Sequence, residues 1–405
     1  MTSTLKLYDS LPEIAPEEVL YQVPSHVSGE RTFNSVRADT GAVYSDSNRT
    51  IKFRIPGVGS KAIDPSSMLF FFDHTATSSN NQIVMDEGAF SPIHTVRFMD
   101  QSGVTLFETR EYARLHAALL DVTVNTSQRM NLFHLGMGPQ STRPATGRKY
   151  ACHLKDLFDT KTLIYPAMFG CLYLEITLRP DAEWHVTSAG GTQSTGVQYT
   201  LNNCELRWED IELSPAVNQV LLKKWSSDGI KHYYKGWTYH GQTIGPGQNT
   251  VVINNRNKSQ STLLIALQDA AVASSQTVTT VSKTYDRTHA GVTLIQFKIG
   301  NAVYPNKPIK SSVESWALLN LAFNHNVRGV ISMQGYAVDG NQFLLALNLD
   351  VVRSAMSGNS SGVVSNLPIE VMIELPSNAP QTNFHSWVAH DRVIVASANG
   401  TTVIH

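Results

Sequence analysis

Several segments of the chain alternate apolar and polar residues with the two-residue period of a half-buried β-strand. Residues 172–179, LYLEITLR, place leucine or isoleucine at every second position, and Pro180 ends the run. The remaining positions, which include Arg179, are predicted to face away from the core. Residues 369–375, IEVMIEL, repeat the pattern before Pro376. Both segments are therefore predicted to be strands with one buried face.

Two short segments follow the helical period instead. Residues 312–323, SVESWALLNLAF, space large apolar residues by three and four, and Ser311 with Glu314 forms a capping-box pattern. Residues 108–122, ETREYARLHAALLDV, contain the same spacing 204 positions earlier. The matching residues are Tyr112, Leu115 and Leu119 in the first segment and Trp316, Leu319 and Phe323 in the second. One helix is therefore predicted in each half of the chain.

The strand signals repeat in the two halves and keep one order. The paired segments are 50–56 with 250–256, 68–72 with 262–267, and 204–213 with 391–397. Between the second and third pairs, both halves contain one or two further strands, the helix, long polar loops and the alternating strand. Self-similarity in a fixed order indicates duplication of a structural unit.

Each half contains roughly eight short strands separated by Gly, Pro, Asn and Ser clusters, which is typical of an antiparallel sandwich and not of a βαβ sheet. We therefore predict an all-β protein with two tandem sandwiches. The predicted divisions are an N-terminal arm at 1–44, a first sandwich at 45–213, a linker at 214–228 and a second sandwich at 229–405.

Each helix is expected to fill a crossover between strands and to cover an open end of its own sandwich with its apolar stripe. On this interpretation Tyr112 and Trp316 are largely buried at matching positions in the two sandwiches. Leu115 and Leu319 are expected to lie beside them.

The composition suits packing against other protein and not electrostatic capture of nucleic acid. Lys and Arg number 32 against 33 Asp and Glu, and only 16% of the 405 residues are charged. Residues 1–30 hold one Lys and five acidic residues, so there is no basic arm for phosphates. Apolar residues in this segment are interrupted by Pro12, Pro16 and Pro24. This pattern predicts an arm that docks on a neighbouring subunit or an underlying layer.

The cysteines and the apolar runs predict neither a disulfide framework nor a membrane-spanning helix. Cys152, Cys171 and Cys204 lack the spacing of a zinc site and are expected to be buried free thiols. The N-terminus has no basic segment followed by an apolar core, so no signal peptide is expected. The longest apolar runs, such as 68–72, fall far below the ~20 residues that span a bilayer.

No group of residues forms a catalytic or metal-binding pattern in its required context, so no catalytic, cofactor-binding or metal-ligating residue is predicted. Gly358, Ser360 and Gly362 match G-x-S-x-G, but they lie in a Ser/Asn/Gly loop without the strand-to-helix turn that the motif needs. None of the 14 histidines forms the H-x-H pair of a bicupin metal site. The histidines considered, which are interpreted as surface or hydrogen-bonded residues, are His134, His153, His385 and His390. The carboxylate pairs, interpreted as solvated faces, are Glu17 with Glu18 and Glu370 with Glu374.

Aromatic residues offer a candidate carbohydrate site, because sugars bind on exposed aromatic rings. Residues 231–239, KHYYKGWTY, alternate so that Tyr233, Trp237 and Tyr239 share one face while Tyr234 lies on the other. Aromatic residues are also common in strands, and that interpretation is favoured. A carbohydrate-binding tandem sandwich, or a glycan-active hydrolase, is kept as the alternative function.

The tandem, with one helix in each sandwich, resembles the double jelly-roll major capsid proteins of tailless icosahedral double-stranded DNA viruses. These include adenovirus, polinton-like, virophage and membrane-containing phage capsid proteins. The segments that carry the resemblance are RTIKFRIP and IDPSSMLFFF in the first half and VINNRNKSQSTLLIALQ, IGNAVYPNKPI, SSVESWALLNLAF and FLLALNLDVVRSAMSGNSSG in the second. The resemblance covers roughly 45–400 and rests on order and pattern, because the family has no short invariant motif. The chain lacks the large loop insertions of the adenovirus hexon and resembles a compact member.

The resemblance implies two tandem eight-stranded antiparallel jelly rolls and a structural, non-enzymatic capsid role without a cofactor. It implies a homotrimer whose six rolls form a pseudo-hexameric capsomer of an icosahedral shell. The partners it implies are neighbouring capsomers and penton and minor capsid proteins, with an internal membrane layer as in the membrane-containing members; the sequence does not identify whether a membrane lies beneath the shell. Specific nucleic-acid binding is not expected. The implied location is the virion, after assembly inside the host cell.

Overall fold

The computed structural model contains two β-rich halves joined by a helix. The residues that the structure describes are 29–77, 83–86, 88–124, 148–154, 163–187, 195–254, 257, 259–277, 281–323, 331, 334–338, 342–352, 361–362 and 368–404.

Strands dominate both halves. The strands of the first half are β1 (Gly29–Arg37), β2 (Val43–Tyr44), β3 (Thr50–Pro56), β4 (Lys61–Ile63), β5 (Leu69–Thr77), β6 (Ile83–Met85), β7 (Ile93–Asp100), β8 (Thr105–Arg110), β9 (Arg148–His153), β10 (Cys171–Leu178), β11 (His185–Thr187) and β12 (Gln198–Leu213). Those of the second half are β13 (Ile230–Ile244), β14 (Gly247–Ile253), β15 (Gln260–Asp269), β16 (Leu294–Ile299), β17 (Ala302–Ile309), β18 (Leu344–Asn348), β19 (Asp350–Val352), β20 (Ser361–Gly362), β21 (Ile369–Leu375), β22 (Thr382–Ser397) and β23 (Gly400–Ile404).

The α-helices lie at the ends of strands. They are α1 (Tyr112–Thr123), α2 (Pro215–Ser227), α3 (Ala270–Ser274) and α4 (Ser312–Ala322). Short 3-10 segments occur at Pro65–Ser67, Pro166–Phe169 and Asp181–Glu183, and a π-helical turn occurs at Gln334–Val338.

The first half has two main antiparallel sheets and a small two-stranded sheet of β6 and β11. One has the strand order β1-β12-β5-β9, with β2 and β4 also pairing with β12, and the other has the order β3-β10-β7-β8. Helix α1 follows β8 directly and precedes β9. Apart from β7 and β8, the neighbouring strands of these two sheets are therefore non-consecutive in the chain, as in a jelly roll.

The second half repeats the strand order of both main sheets. Its sheets have the orders β13-β22-β15-β18, with β23 pairing β22, and β14-β21-β16-β17. Helix α4 follows β17 as α1 follows β8. The structure thus confirms the all-β fold class, with two tandem eight-stranded antiparallel jelly rolls and one inserted helix in each, and it confirms the duplication.

Alternation along the strands places their apolar side chains between the two sheets of each roll. β3, β10 and β21 bury nearly every second residue, as their sequences predict. Phe53 on β3 and Phe70 on β5 come from opposite sheets and meet edge to face, with ring centroids 5.9 Å apart. Burying such a ring contributes roughly 1.5–3 kcal/mol. The three cysteines are buried and none forms a disulfide.

Strand β1 begins inside the segment that was predicted to be an arm. It pairs with β12 along its whole length, from Gly29 opposite Leu213 to Arg37 opposite Glu205. Residues 29–37 therefore extend the first sheet, and the arm interpretation now concerns residues 1–28, which lie outside the described residues. The predicted linker, 214–228, forms helix α2, which begins with Pro215 at its first turn.

The two inserted helices start differently. Ser311 caps α4, its hydroxyl accepting from the Glu314 amide while the Glu314 carboxylate accepts from the Ser311 amide. This is the capping box that the sequence predicts. Helix α1 instead follows Glu111, whose φ of 52° is left-handed and whose side chain makes no capping bond. Its carboxylate is used elsewhere, at the contact between the rolls.

Candidate functional site at the interface between the rolls

Helix α1 lies between the two rolls and supplies side chains to both cores. Those in the first core are Tyr112, Ala113 and Ala117, and those in the second core are Leu115, Ala118 and Val122. The expectation that Leu115 lies beside Tyr112 in its own sandwich is therefore wrong. Because the helix is apolar on two faces, it joins the rolls and does not only cap one of them.

In the second roll, helix α4 packs on its own core. Leu319 is fully buried, as expected. Trp316 is only partly buried, and its ring meets Tyr336 edge to face at 4.9 Å. The matching burial predicted for Tyr112 and Trp316 is thus correct for Tyr112 alone. Helix α1 is packed on two sides, with Tyr112 in the first core and Leu115 in the second, whereas the described residues of α4 contribute to the second core alone.

Strand β8 of the first roll packs against the long strands of the second. The Tyr234 hydroxyl donates to the Leu106 carbonyl, and the Tyr234 ring lies 5.9 Å from that of Phe107. The fully buried Trp387 donates its indole N–H to the Arg110 carbonyl at 3.3 Å. Aromatic side chains with one polar atom suit such a contact, because their rings exclude water while the N–H or O–H is satisfied.

A buried arginine anchors the polar part of the interface. Arg179 has 0% exposure. Its Nη1 donates to Thr284 Oγ1 of the second roll at 2.8 Å and to the Ser91 carbonyl at 3.4 Å, and its Nε donates to Glu183 at 3.3 Å. Asp86 adds a second bridge between the rolls, because its Oδ2 accepts from the Ser282 hydroxyl at 2.6 Å.

Helix α1 carries charged residues that complete this network. Arg114 pairs with Glu111 and lies 3.7 Å from Glu183, and Asp121 pairs with Arg287 of the second roll. Burial would raise the pKa of Glu111, but Arg114 and a hydrogen bond from His94 hold it well below its usual range. The carboxylate is therefore ionised. Separating the rolls would break the buried Asp121–Arg287 pair, which is costly because a buried charge is left uncompensated.

Six of the described histidines are buried, among them His74, His185, His232 and His385. His385 Nδ1 forms a hydrogen bond of 2.8 Å with the Tyr239 hydroxyl, and His74 Nε2 lies 3.0 Å from His185 Nε2. Burial, followed by nearby Arg114, lowers the pKa of His385 to about 3. Burial lowers the pKa of His185 and of His232 to about 4. These side chains are therefore neutral near pH 7 in the folded protein.

We expect the thermal stability of the protein to fall as the pH is lowered from 6.5 to about 4. An unfolded histidine has a pKa of ≈ 6.5, so in this window the unfolded state binds protons that the folded state does not. The melting temperature, measured by differential scanning calorimetry at half-unit steps, should be nearly constant from pH 8 to 7 and then decline. The melting temperature of the His232→Phe variant should decline less steeply as the pH falls. A flat profile between pH 7 and 4.5 would contradict this assignment.

The residues considered for catalysis are not brought together. Gly358, Ser360 and His134 lie outside the described residues, and Gly362 lies in the two-residue strand β20. His153 ends β9, and His390 is buried in β22. Glu370 pairs with Lys298 at 3.3 Å, while Glu374 is exposed. Among the described residues no group of three His, Cys, Asp or Glu could hold a metal ion. No helix in the described ranges is long and apolar enough to cross a bilayer.

The aromatic residues of 231–239 take part in the contact between the rolls. Tyr234 packs on β8, as described above, and the Tyr239 ring lies beside those of His385 and Trp387, with centroids 5.9 Å and 5.7 Å away. Trp237 is partly buried against the second core. Tyr233 is the one exposed ring of the four, at 40%, so the rings do not together form an exposed sugar-binding face. Sequence alternation gave the face of each ring correctly but gave no sign of the other roll that covers several of them.

Comparisons with known proteins agree on the fold. No protein-family model matches the chain, and no curated protein matches it. Among solved structures, the Faustovirus major capsid protein matches with a TM-score of 0.65 at 10% identity, over 98% of this chain and 94% of that chain. The PBCV-1 virus capsid model matches with a TM-score of 0.66 at 9% identity, over 95% and 98%.

A third solved structure, the mavirus major capsid protein, matches with a TM-score of 0.51 at 10% identity, over 96% of this chain and 93% of that chain. All three likenesses span both rolls and the helix between them, so they concern the whole architecture and not one sandwich. The resemblance found in the sequence is thereby confirmed at the level of the fold: this chain has the double jelly-roll fold of viral major capsid proteins.

Proposed function

We propose that the protein is a structural major capsid protein that forms the shell of an icosahedral virus. The observation that carries the proposal is the pair of equivalent jelly rolls, joined through buried contacts. Helix α1, Arg179 and the Asp121–Arg287 pair connect the rolls through buried contacts that serve no visible chemistry. The full-length likeness to major capsid proteins supports the same role.

The repeated unit also fits a homotrimer. Three chains with two equivalent rolls each supply six similar wedges, and a closed three-fold arrangement of them gives a pseudo-hexameric capsomer. Capsomers of this shape can cover an icosahedral shell while making only a few different kinds of contact with their neighbours. The domain division that goes with this proposal is a first roll of 45–213, extended by β1, the helical linker at 214–228, and a second roll of 229–405.

The proposed partners are neighbouring capsomers, penton and minor capsid proteins and an internal membrane layer. Residues 1–28 are proposed to be the arm that docks on a neighbour or an underlying layer, because they are apolar yet broken by prolines. The protein is proposed to reside in the virion after assembly inside the host cell. A non-enzymatic role without specific nucleic-acid binding is supported by the structural use of the buried charges and by a net charge of -1.

The purified protein is expected to be a trimer of about 134 kDa, three times the 44.6 kDa chain. Size-exclusion chromatography with light scattering measures this mass, and negative-stain microscopy should show hexagonal particles with three-fold symmetry. Because the folded monomer and the trimer are linked by mass action, the melting temperature should rise with protein concentration. A monomer at all micromolar concentrations would contradict the proposal.

A further inference from the structure

Strand β23 lies at the margin of a sheet of the second roll. On one side, the long strand β22 pairs with β15 through residues 382–390 and then with β23 through residues 393–397. Strand β13 occupies the other side of β22. Among the described residues, β23 pairs with β22 alone. The second edge of β23 therefore presents backbone N–H and C=O groups to which the described part of the chain adds no strand.

The corresponding edge of the first roll is occupied. Strand β12 pairs with β5 and then, through residues 210–212, with β4, on the side away from β1. Strand β4 thus holds the position that β23 holds in the second roll. Its outer edge is joined to another part of the chain, because Ile63 and Ile164 exchange two backbone hydrogen bonds, of 2.7 and 3.0 Å. This comparison indicates that the edge of β23 also has a partner, which the described residues of its own roll do not supply.

The sequence of β23 favours pairing with a further strand. Edge strands are usually protected by charged residues, prolines or bulges. Gly400–Ile404, GTTVI, contains no charged residue and no proline, and its pairing with β22 has no bulge. An open edge of this kind accepts an extended segment as an additional strand, held by main-chain hydrogen bonds.

One face of the sheet beside this edge is apolar and open. Tyr233, Val393 and Ile404 stand in register across β13, β22 and β23. Tyr233 is 40% exposed, Ile404 is 49% exposed and Val393 is half-buried. On the other face Ile394 packs into the first core. We call Tyr233, Val393 and Ile404, together with the outer edge of β23, the β23 margin. A strand added there would continue the apolar row beyond Ile404.

Residues 18–23, EVLYQV, have the pattern that such an added strand requires. They lie outside the described residues. Val19, Tyr21 and Val23 are strand-forming residues at every second position, and Pro16 and Pro24 bound the segment. The segment is six residues long, which matches the five residues of β23.

The charges of the two partners are opposite. Residues 1–28 contain one basic and four acidic residues, a formal charge of -3. The segments at the β23 margin and next to it, 223–235 and 391–404, contain five basic and two acidic residues, a formal charge of +3. Lys223 and Lys231 are exposed. Complementary charges of this kind favour the encounter of the correct partners and fix their register.

We infer that residues 18–23 of one protomer add to β23 of a neighbouring protomer as a further strand of its sheet. This inference rests on the proposed function, in which residues 1–28 dock on a neighbour, and it specifies the surface and the mode of binding. Main-chain hydrogen bonds hold the added strand, its apolar side chains cover Ile404, and the acidic residues of the segment face the lysines of the margin.

Cysteine cross-linking in assembled shells of the full-length protein tests this contact. Leu20→Cys and Thr402→Cys each place a thiol near the middle of one strand, and the three native cysteines are buried. The two variants are co-expressed as separate chains, so that a link between the two positions joins different protomers. A short bismaleimide should then give a band near 89 kDa, twice 44.6 kDa, on a denaturing gel, and mass spectrometry should identify the linked peptides.

The controls separate this contact from other outcomes. Each variant expressed alone should remain at 44.6 kDa, and so should Leu20→Cys co-expressed with Gln248→Cys, an exposed position on β14. Shells without the link between positions 20 and 402 would overturn the inference while the proposed function stands. A link that forms only when both cysteines are in one chain would also overturn it, because the segment would then cover its own β23. If the wild type forms neither trimers nor shells, the proposed function fails and this contact fails with it.

A second variant tests the apolar part of the β23 margin. Ile404→Asp removes the exposed apolar side chain and adds a negative charge beside an acidic segment, so the rate of cross-linking should fall at least about tenfold. The matched control is Val252→Asp, because Val252 is 39% exposed on β14, and it should leave the rate within about twofold of the parent protein. Circular dichroism should show that both variants fold. An unchanged rate for Ile404→Asp would overturn the inference.

Discussion

Replacing Arg179 by alanine is expected to destabilise the protein by about 3–5 kcal/mol, the usual result of removing one partner from a buried charged network. Arg179 has no exposed surface and bonds to Glu183, the Ser91 carbonyl and Thr284. Its loss leaves the carboxylate of Glu183 without its nearest cation and removes a bond between the rolls. Urea denaturation followed by tryptophan fluorescence measures the change in the free energy of unfolding.

Two further variants separate the causes of this loss. Arg31→Ala removes the guanidinium from an exposed pair with Glu209, whose atoms lie 3.0 Å apart, and should cost about 0.2–1 kcal/mol. Arg179→Lys keeps the charge but lacks the fork that reaches three acceptors, so its effect should lie between the two. If Arg179→Ala costs no more than Arg31→Ala, the buried network does not stabilise the contact between the rolls.

Replacing Trp387 by alanine is expected to cost about 3–5 kcal/mol, because it leaves a cavity where the second core meets β8. Trp387 is fully buried, packs on Tyr239 and donates to the Arg110 carbonyl. Calorimetry should show a lower melting temperature and a broader transition, since the rolls lose a shared contact and unfold less cooperatively.

Trp387→Phe is the matched control for this prediction. It keeps most of the buried ring and loses the hydrogen bond to Arg110, which contributes about 0.5–1.5 kcal/mol. A loss for Trp387→Ala no larger than that of Trp387→Phe would show that packing at this position contributes little. If the wild type, Trp387→Ala and Trp387→Phe unfold with equally sharp calorimetric transitions, the two rolls are coupled through contacts other than those of Trp387.

The sequence predicted the elements well because each depends on local spacing. The alternation in 172–179 and 369–375 identified β10 and β21, and the capping box at Ser311 identified the start of α4. Strand β1 was missed because GERTFNSVR has little apolar alternation. Its pairing with β12 depends on the partner strand and not on its own pattern.

The interface was not predictable in the same way. Arg179 was assigned to the polar side of its strand, but it follows the last residue of β10 and its side chain is completely buried. Alternation tells which face a residue is on but does not tell what covers that face. Leu115 was likewise assigned to its own roll, because a helical stripe does not identify its partner. Both residues depend on contacts with the other half of the chain.

Helix α1 also constrains how the protein can fold during translation. Its residues Leu115, Ala118 and Val122 are buried against strands that end as late as Ser397, whereas the first roll ends at Leu213. A ribosome adds roughly 5–20 residues per second, so these apolar side chains wait roughly 10–40 s for their partner strands. During that interval the apolar face of α1 is uncovered on the nascent first roll, and exposed apolar surface of this kind is what chaperones bind.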